Sequence, residues 1–199
     1  ARPGAIETTS QEQHILNYRP KPKRRTVSHY TGCLLGGAVG DALGWPVEFT
    51  SLGDIRAQFG PEGISSPEPN RDGVFEITDD TQMTLFTAEG MLRAGSRAHE
   101  KGIGPSFASC GYYAYRRWLV TQGDLAQEEV SCDGWLIAVP GLHQRRAPGG
   151  TCLSALKLER RGSMDEPLND RKGCGAVMRM APVGLFLQSP YVCEFLNAQ

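Results

Sequence analysis

From Ser28 onward the chain alternates apolar positions at helical spacing with segments rich in proline and glycine. Gly32, Gly36, Gly40 and Gly44 recur at intervals of four, which places them along one face of a helix. Glycine lowers helix propensity, so a row of this kind predicts another backbone passing very close. A second helix is predicted from Thr78 as N-cap, with Asp79 and Asp80 in the first turn, where carboxylates favour the positive end of the helix dipole. Met83, Leu85, Phe86, Met91 and Leu92 supply its apolar stripe, and Gly95 is expected to close it. A third helix is predicted from Pro105 to about Val120, with Phe107, Gly111, Ala114, Tyr115 and Trp118 at helical spacing. A fourth runs from Thr151 to Arg160, stopped by Gly162. A fifth follows the turn Gly173-Cys174-Gly175, with Pro182 kinking or ending it early. Residues 54–77 and 121–148 read as loops, and period-two strands with hairpin turns are not evident. The predicted fold class is all-α.

The two flanks differ from this pattern. Residues 1–28 carry Arg2, Arg19, Lys21, Lys23, Arg24 and Arg25 against Glu7 and Glu12, and Pro20 and Pro22 break any helix there. They read as an extended basic arm ahead of a domain spanning 29–199. At the other end Tyr191, Val192, Phe195 and Leu196 look like the apolar side of a helix, and Gln199 follows with no cap. The chain is therefore expected to stop inside an element, and 29–199 to be the N-terminal part of a larger domain.

Composition narrows the function classes. Apolar residues make up 40% and charged residues 22%, as in an ordinary globular protein. With 21 basic against 22 acidic residues, the net charge of −1 gives whole-chain binding to nucleic acid or membrane no footing. The most apolar run, from Cys33 to Ala42, is too short to span a bilayer and contains Asp41. The first thirty residues lack the apolar segment of a secretory signal. Six scattered cysteines without a CxxC pair read as reduced, mostly buried thiols of a cytoplasmic protein. The four histidines lack zinc-ligand spacing.

Three segments carry candidate chemistry. Ile77-Thr78-Asp79-Asp80-Thr81 sets adjacent carboxylates between threonine hydroxyls at a helix start, a cluster of hard oxygens of the kind magnesium prefers. Taken alone, it also reads as an acidic helix cap. Gly40-Asp41-Ala42-Leu43-Gly44-Trp45-Pro46-Val47-Glu48-Phe49 places Glu48 just beyond a helix end, where a carboxylate can move; a plain C-cap with an exposed glutamate reads equally from it. Lys172-Gly173-Cys174-Gly175-Ala176-Val177-Met178-Arg179 is a glycine-rich turn leading into a helix, whose N–H groups suit phosphate oxygens. It is neither a dinucleotide fingerprint nor a P-loop.

In this order and spacing the three segments resemble the ADP-ribosylglycohydrolase family, which includes the dinitrogenase reductase-activating glycohydrolases. The resemblance covers Tyr30 to about Phe186, and Arg146-Ala147-Pro148-Gly149-Gly150-Thr151 also looks like a family segment before a helix. It implies a compact bundle of helices around a two-magnesium site, with manganese as a possible substitute. By resemblance Thr78, Asp79 and Asp80 match metal ligands, and Asp79, Asp80 and Glu48 the catalytic carboxylates. Gly173, Cys174, Gly175, Ala176 and Val177 match the loop that holds the ADP-ribose diphosphate. Cys174 stands where the family usually carries a small polar residue. The family's remaining ligands, an Asp-x-Asp-Thr type segment, have no counterpart before Gln199.

The implied activity is hydrolysis of the bond between ribose and a modified protein side chain, with arginine the expected acceptor. The metal ions orient the ribose hydroxyls and a water, and carboxylates stabilise the positive charge that develops on the ribose. The expected partner is thus an ADP-ribosylated protein. The family also resembles bacterial immunity proteins that neutralise ADP-ribosylating toxins, which gives an alternative: residues 1–28 occlude an ADP-ribosyltransferase toxin, with or without hydrolysis.

Overall fold

A computed structural model describes residues 8–10, 13, 17, 25–131, 133–163 and 165–186. Among these residues the chain is all-helical, with no strand. Between Val27 and Phe186 it forms α1 (Val27–Gly44), α2 (Leu52–Phe59), α3 (Asp79–Lys101), α4 (Phe107–Thr121), α5 (Gly150–Leu156) and α6 (Ala181–Phe186), joined by irregular segments and short 3-10 turns. No helix of the described residues is long and apolar enough to cross a membrane.

α3 and α4 are the centre of the structure. Met83 and Phe86 from α3 meet Ala114, Trp118 and Leu119 from α4, all fully buried, and Leu142, Cys152 and Leu153 complete the cluster. Removing a side chain the size of Trp118 from such a core costs about 3–5 kcal/mol. The two helices approach closely because α3 is bare at the crossing, where Gly90 faces the backbone of Gly111. A Cβ built on Gly90 would lie 2.9 Å from Gly111 Cα, so any side chain at position 90 forces the helices apart. The core Trp118 and Gln82 are paired: Trp118 Nε1 donates to Gln82 Oε1 at 3.1 Å, and Gln82 Nε2 donates to Gln144 O at 3.0 Å.

α3 is longer than its sequence pattern predicts. It runs through Gly95 to Lys101, and Gly102, at φ 63°, supplies the left-handed cap. Gly95 is a packing position instead: a Cβ there would meet the Phe186 ring at 2.9 Å. Phe186 in turn stacks edge-on against Phe107 at 5.6 Å, tying α6 to α3 and α4.

Several other expectations are corrected. Among the described residues the glycine row of α1 has no backbone against it, since a Cβ at Gly32, Gly36, Gly40 or Gly44 meets nothing of them within 4 Å. α1 buries only Ala42, and Leu35 and Val39 on it are exposed. The segment 54–77 is not wholly loop, because α2 enters it. Ser51 caps α2, accepting from Asp54 N at 3.2 Å and donating to Asp54 Oδ2 at 2.6 Å, and Gly60 ends it at φ 88°. α5 stops at Leu156 and not Arg160. Beyond it Lys157 turns to pair with Asp124, and Leu158 is exposed, so no apolar face holds a further turn. No long helix follows Gly173-Cys174-Gly175; a 3-10 turn, Cys174–Ala176, is formed there. Pro182 then begins α6 rather than ending a helix, in the first turn where its missing N–H costs nothing. Of the thiols, Cys152 is buried and Cys110 partly so, while Cys33 on the open side of α1 and Cys174 in its turn are exposed.

In the segment expected to be an extended arm, Thr9, Ser10, Gln13 and Asn17 have helical backbone. Its basic residues from Arg19 to Arg24 lie outside the described residues, as do Cys132, Cys193 and the apolar positions Tyr191, Val192, Phe195 and Leu196. Arg25 is anchored, donating from Nη1 to Leu185 O on α6 at 2.7 Å.

Candidate functional site

The site is built on the N-terminus of α3. Thr78 is the N-cap, its hydroxyl accepting from Asp80 N at 3.2 Å. Asp41, one turn from the end of α1, fixes that terminus. Its Oδ1 accepts from Thr78 Oγ1 at 2.7 Å, and its Oδ2 accepts from Thr78 N, Thr81 N and Thr81 Oγ1 at 2.8, 3.2 and 2.6 Å. Asp41 thereby locks α1 to α3 with all its acceptor capacity in use. The sequence reading quotes Asp41 within a motif and gives it no role; its signal is a carboxylate two positions ahead of the last helical residues, facing a Thr-x-x-Thr pair.

The second device holds Asp79. Asp79 N donates to Arg146 O at 2.8 Å, and Gly149 N donates back to Asp79 Oδ2 at 2.9 Å. The segment Arg146-Ala147-Pro148-Gly149 is therefore a clamp for this carboxylate. Ala147 sits at φ 49°, the left-handed region disfavoured for a residue with a Cβ, so the clamp stores some backbone strain. Arg146 is itself held by Glu76 at 2.5 Å, and that guanidinium together with Asn70 keeps the Glu76 carboxyl below its usual range.

Asp79 and Asp80 are thus adjacent, differently treated acids. Asp79 is buried, and desolvation raises its pKa against the opposing Gly149 hydrogen bond, with Glu48 and Asp41 adding to the rise. Asp80 is pushed up to about 6 by desolvation first and then by the charges of Asp79, Asp41 and Glu48. Among the described residues nothing donates a hydrogen bond to the Asp80 carboxylate, and no cation offsets the group. Asp80, Glu48, Thr78 and Asp41 line a cavity of about 430 Å³, whose opposite wall is the small-residue face of α1 with Gly37, Gly40 and Gly44. The open glycine row accordingly makes room for this cavity.

Of the expected site residues, Thr78, Asp80 and Glu48 line the cavity; Asp79 does not, although the Glu48 charge bears on both aspartates. Glu48 is exposed, beyond the short turn Trp45–Val47 that follows α1. The turn Gly173-Cys174-Gly175-Ala176-Val177 does not line the cavity; Met178, the next residue, does. The turn packs on Cys152, whose Sγ would lie 2.6 Å from a Cβ at Gly175. The charges of Asp79, Asp80 and Cys174 all bear on Cys152, whose thiol is raised first by burial, so Cys152 stands between the acids and the turn. Val177 N and Met178 N are already bonded to Cys174 O, which leaves fewer N–H groups for a ligand than a glycine-rich turn offers on paper.

As the side chains stand, no three His, Cys, Asp or Glu groups among the described residues converge closely enough to grip an ion. The donor chemistry nevertheless suits a hard divalent cation: Asp79 Oδ1, both Asp80 oxygens and the Glu48 carboxylate are oxygen donors not committed elsewhere. Burial first and the neighbouring carboxylates second raise Asp80, and a divalent cation would offset both.

Comparison with known proteins places the chain. An uncharacterized protein of Archaeoglobus fulgidus is 31% identical over 157 residues, covering 78% of this chain and 42% of that protein. The Escherichia coli uncharacterized protein YegU is 25% identical over 173 residues, covering 83% of this chain and 44% of its own length. The chain spans less than half the length of these relatives. No solved structure matches it. The pattern of the ADP-ribosylglycohydrolase family matches residues 21–197, almost the whole chain, and with the acid cluster at the start of α3 in place the chain belongs to that family.

Proposed function

We propose that the protein is a hydrolase that removes ADP-ribose from modified protein side chains, with arginine as the acceptor and two magnesium ions at the start of α3; manganese serves in their place. The observation that carries this reading is the cluster of carboxylates, two of them desolvated and one without any donor, facing a cavity large enough for a sugar. Membership of the family supports hydrolase chemistry at that level.

Asp79, Asp80, Glu48 and the Thr78 hydroxyl would hold the ions. When bound, these supply charge to orient the ribose hydroxyls and to lower the pKa of a water. The chain's own residues do the remainder. The Gly149 N–H orients Asp79, and Asp41 fixes the Thr78 and Thr81 backbone, so the acids keep their positions without reorganising as charge develops. Asp80, lacking a hydrogen-bond donor, is the group free to orient a water and accept its proton as the water attacks the anomeric carbon. The developing positive charge on the ribose lies among carboxylates, which favours it. Glu48, exposed at the rim, can move with the leaving group. The residues 173–177 would meet the diphosphate from beyond Cys152.

The test is release of ADP-ribose from an ADP-ribosylated arginine protein, with magnesium, with a chelator, and with Asp79→Asn. Release should fall by about a hundredfold or more in the last two. Undiminished release under chelation or in the variant overturns the assignment.

A further inference from the structure

A second cavity, of about 390 Å³, lies further along α3 from the acid cluster. The segment 178–180 separates the two: Thr84 Oγ1 donates to Met178 O at 3.2 Å, Met178 lines the acid cavity, and Arg179 and Met180 line the second one. Its volume falls in the range of small-molecule sites, roughly 300–1,000 Å³. Phe107, Tyr112 and Tyr115 supply aromatic surface to its walls.

A half-buried guanidinium in this wall is electrostatically unfinished. The Arg179 guanidinium lies 4.5 Å above the Tyr115 ring, Nη1 faces only the weak acceptor Met83 Sδ at 3.5 Å, and Nε is sequestered with no hydrogen-bond partner among the described residues. No ion pair of Arg179 is formed among those residues, whereas Arg117, more deeply buried, has two carboxylates. A ring face stabilises a cation less than a carboxylate does, and an enclosed N–H without an acceptor is costly. Arg161 brings a second guanidinium to the mouth, held by Ser109.

The opposite wall has room for a ring. Gly111 is held against Gly90 on one side, yet a Cβ built on Gly111 itself meets nothing within 4 Å. α4 therefore presents bare backbone to the cavity where most helices would fill it with a side chain.

We infer that this cavity binds a small aromatic anion, its ring in the space beside Phe107 and Gly111 and its anionic group on Arg179. The site is separate from the acid cluster and does not depend on the hydrolase reading. Benzoate, benzyl alcohol and acetate are suitable probes for the protein by isothermal titration calorimetry, since the last two each lack half of the recognised chemistry. Benzoate should bind saturably at roughly millimolar affinity, at least about tenfold more tightly than either of the others. Gly111→Leu fills the ring space and should abolish benzoate binding while the melting temperature holds. Arg179→Met should remove the advantage of benzoate over benzyl alcohol; if that variant does not fold, Gly111→Leu decides alone. Failure of benzoate to saturate, as when another carboxylate of the protein already sits on Arg179, overturns the proposal. So does unchanged benzoate binding in Gly111→Leu.

Discussion

Two carboxylate centres lie on the same helix and are treated in opposite ways. At the start of α3, Asp79 and Asp80 are crowded by Asp41 and Glu48 with no cation near, and their protons are held above the normal carboxylate range. Further along α3, Glu89 is more deeply buried than either, yet all its acceptor positions are filled. Its Oε2 accepts from Arg117 Nε and Nη2 at 3.0 and 2.7 Å, and its Oε1 from Trp135 N and Leu136 N at 2.7 and 2.9 Å. Arg117 reaches on to Asp133, which also binds Arg93. The Glu89 centre closes the loop 133–136 onto α3 and α4 and has nothing left to offer a ligand. The acid cluster is the reverse: the fold tolerates its charge without neutralising it. Saturation of acceptors, more than burial or charge, separates the structural acid from the candidate site acids.

The comparison breaks if the Glu89 centre proves dispensable. Glu89→Ala leaves the buried Arg117 with only the half-exposed Asp133 and takes the acceptor from the Trp135 and Leu136 N–H groups, and should lower unfolding free energy by about 3–5 kcal/mol in urea titrations. A loss below about 1 kcal/mol would mean the network is not a lock. A gentler probe of the same place is Gly134→Ala. Its Cβ would fall 2.3 Å from Arg117 Nε and 2.7 Å from both Glu89 carboxylate oxygens, so about 1–3 kcal/mol should be lost to repacking, measured the same way.

The acid cluster should respond with the opposite sign. Asp80 has its folded pKa raised to about 6, above an unfolded value near 4, so the folded protein holds that proton more tightly. Its contribution to stability is full below the unfolded value and is lost as pH rises through about 6. In metal-free buffer Asp80→Asn should therefore be more stable than the parent at neutral pH, by about 1 kcal/mol after allowance for solvent screening. The gap should close as pH falls to about 4, and a thermal-melt series over pH reads it; a destabilised variant at neutral pH contradicts the account.

The smallest effect belongs to a partly exposed acid that does have cations. Asp124 pairs with Lys157 at 2.7 Å and Arg145 at 2.6 Å, and these hydrogen bonds, Lys157 first, hold its carboxyl below the usual range. Lys157→Met should cost no more than about 0.5 kcal/mol near neutrality, because the lysine end is open to solvent and Arg145 still pairs with Asp124. What it contributes is present above the unfolded pKa and is lost as pH falls through the lowered folded value, the mirror image of Asp80. Comparison of melts at low and high salt gives the same ranking, since screening should erase this pair first.

How much of this was legible follows from what local sequence encodes. The start of α3 was, because an N-cap threonine followed by two acids is a local signal, and its long apolar stripe demands burial. α2 carried a signal of the same kind, Ser51 three residues ahead of Asp54, but the prolines and glycines that follow outweighed it. The glycine row was placed correctly on one helix face and given the wrong neighbour, since spacing identifies a bare face and says nothing of what lies opposite. The helix crossing fell instead at Gly90 and Gly111, two isolated glycines whose pairing exists only in three dimensions. Asp41, the clamp of Arg146 and Gly149, and the Glu89–Arg117 pair were out of reach for the same reason. Their partners are 28 to 70 residues apart in the chain, and the hydrogen bonds that distinguish them leave no periodicity behind.

The central claim is that the uncompensated acids at the start of α3 hold a divalent cation. It is tested most directly by titrating Mn²⁺ into the protein and counting the free ion by electron paramagnetic resonance. Saturable binding is expected, competed by Mg²⁺, weakened by about tenfold or more in Asp79→Asn and Asp80→Asn, and unchanged in Lys157→Met. Equal Mn²⁺ affinity in the parent and in both aspartate variants would contradict the account.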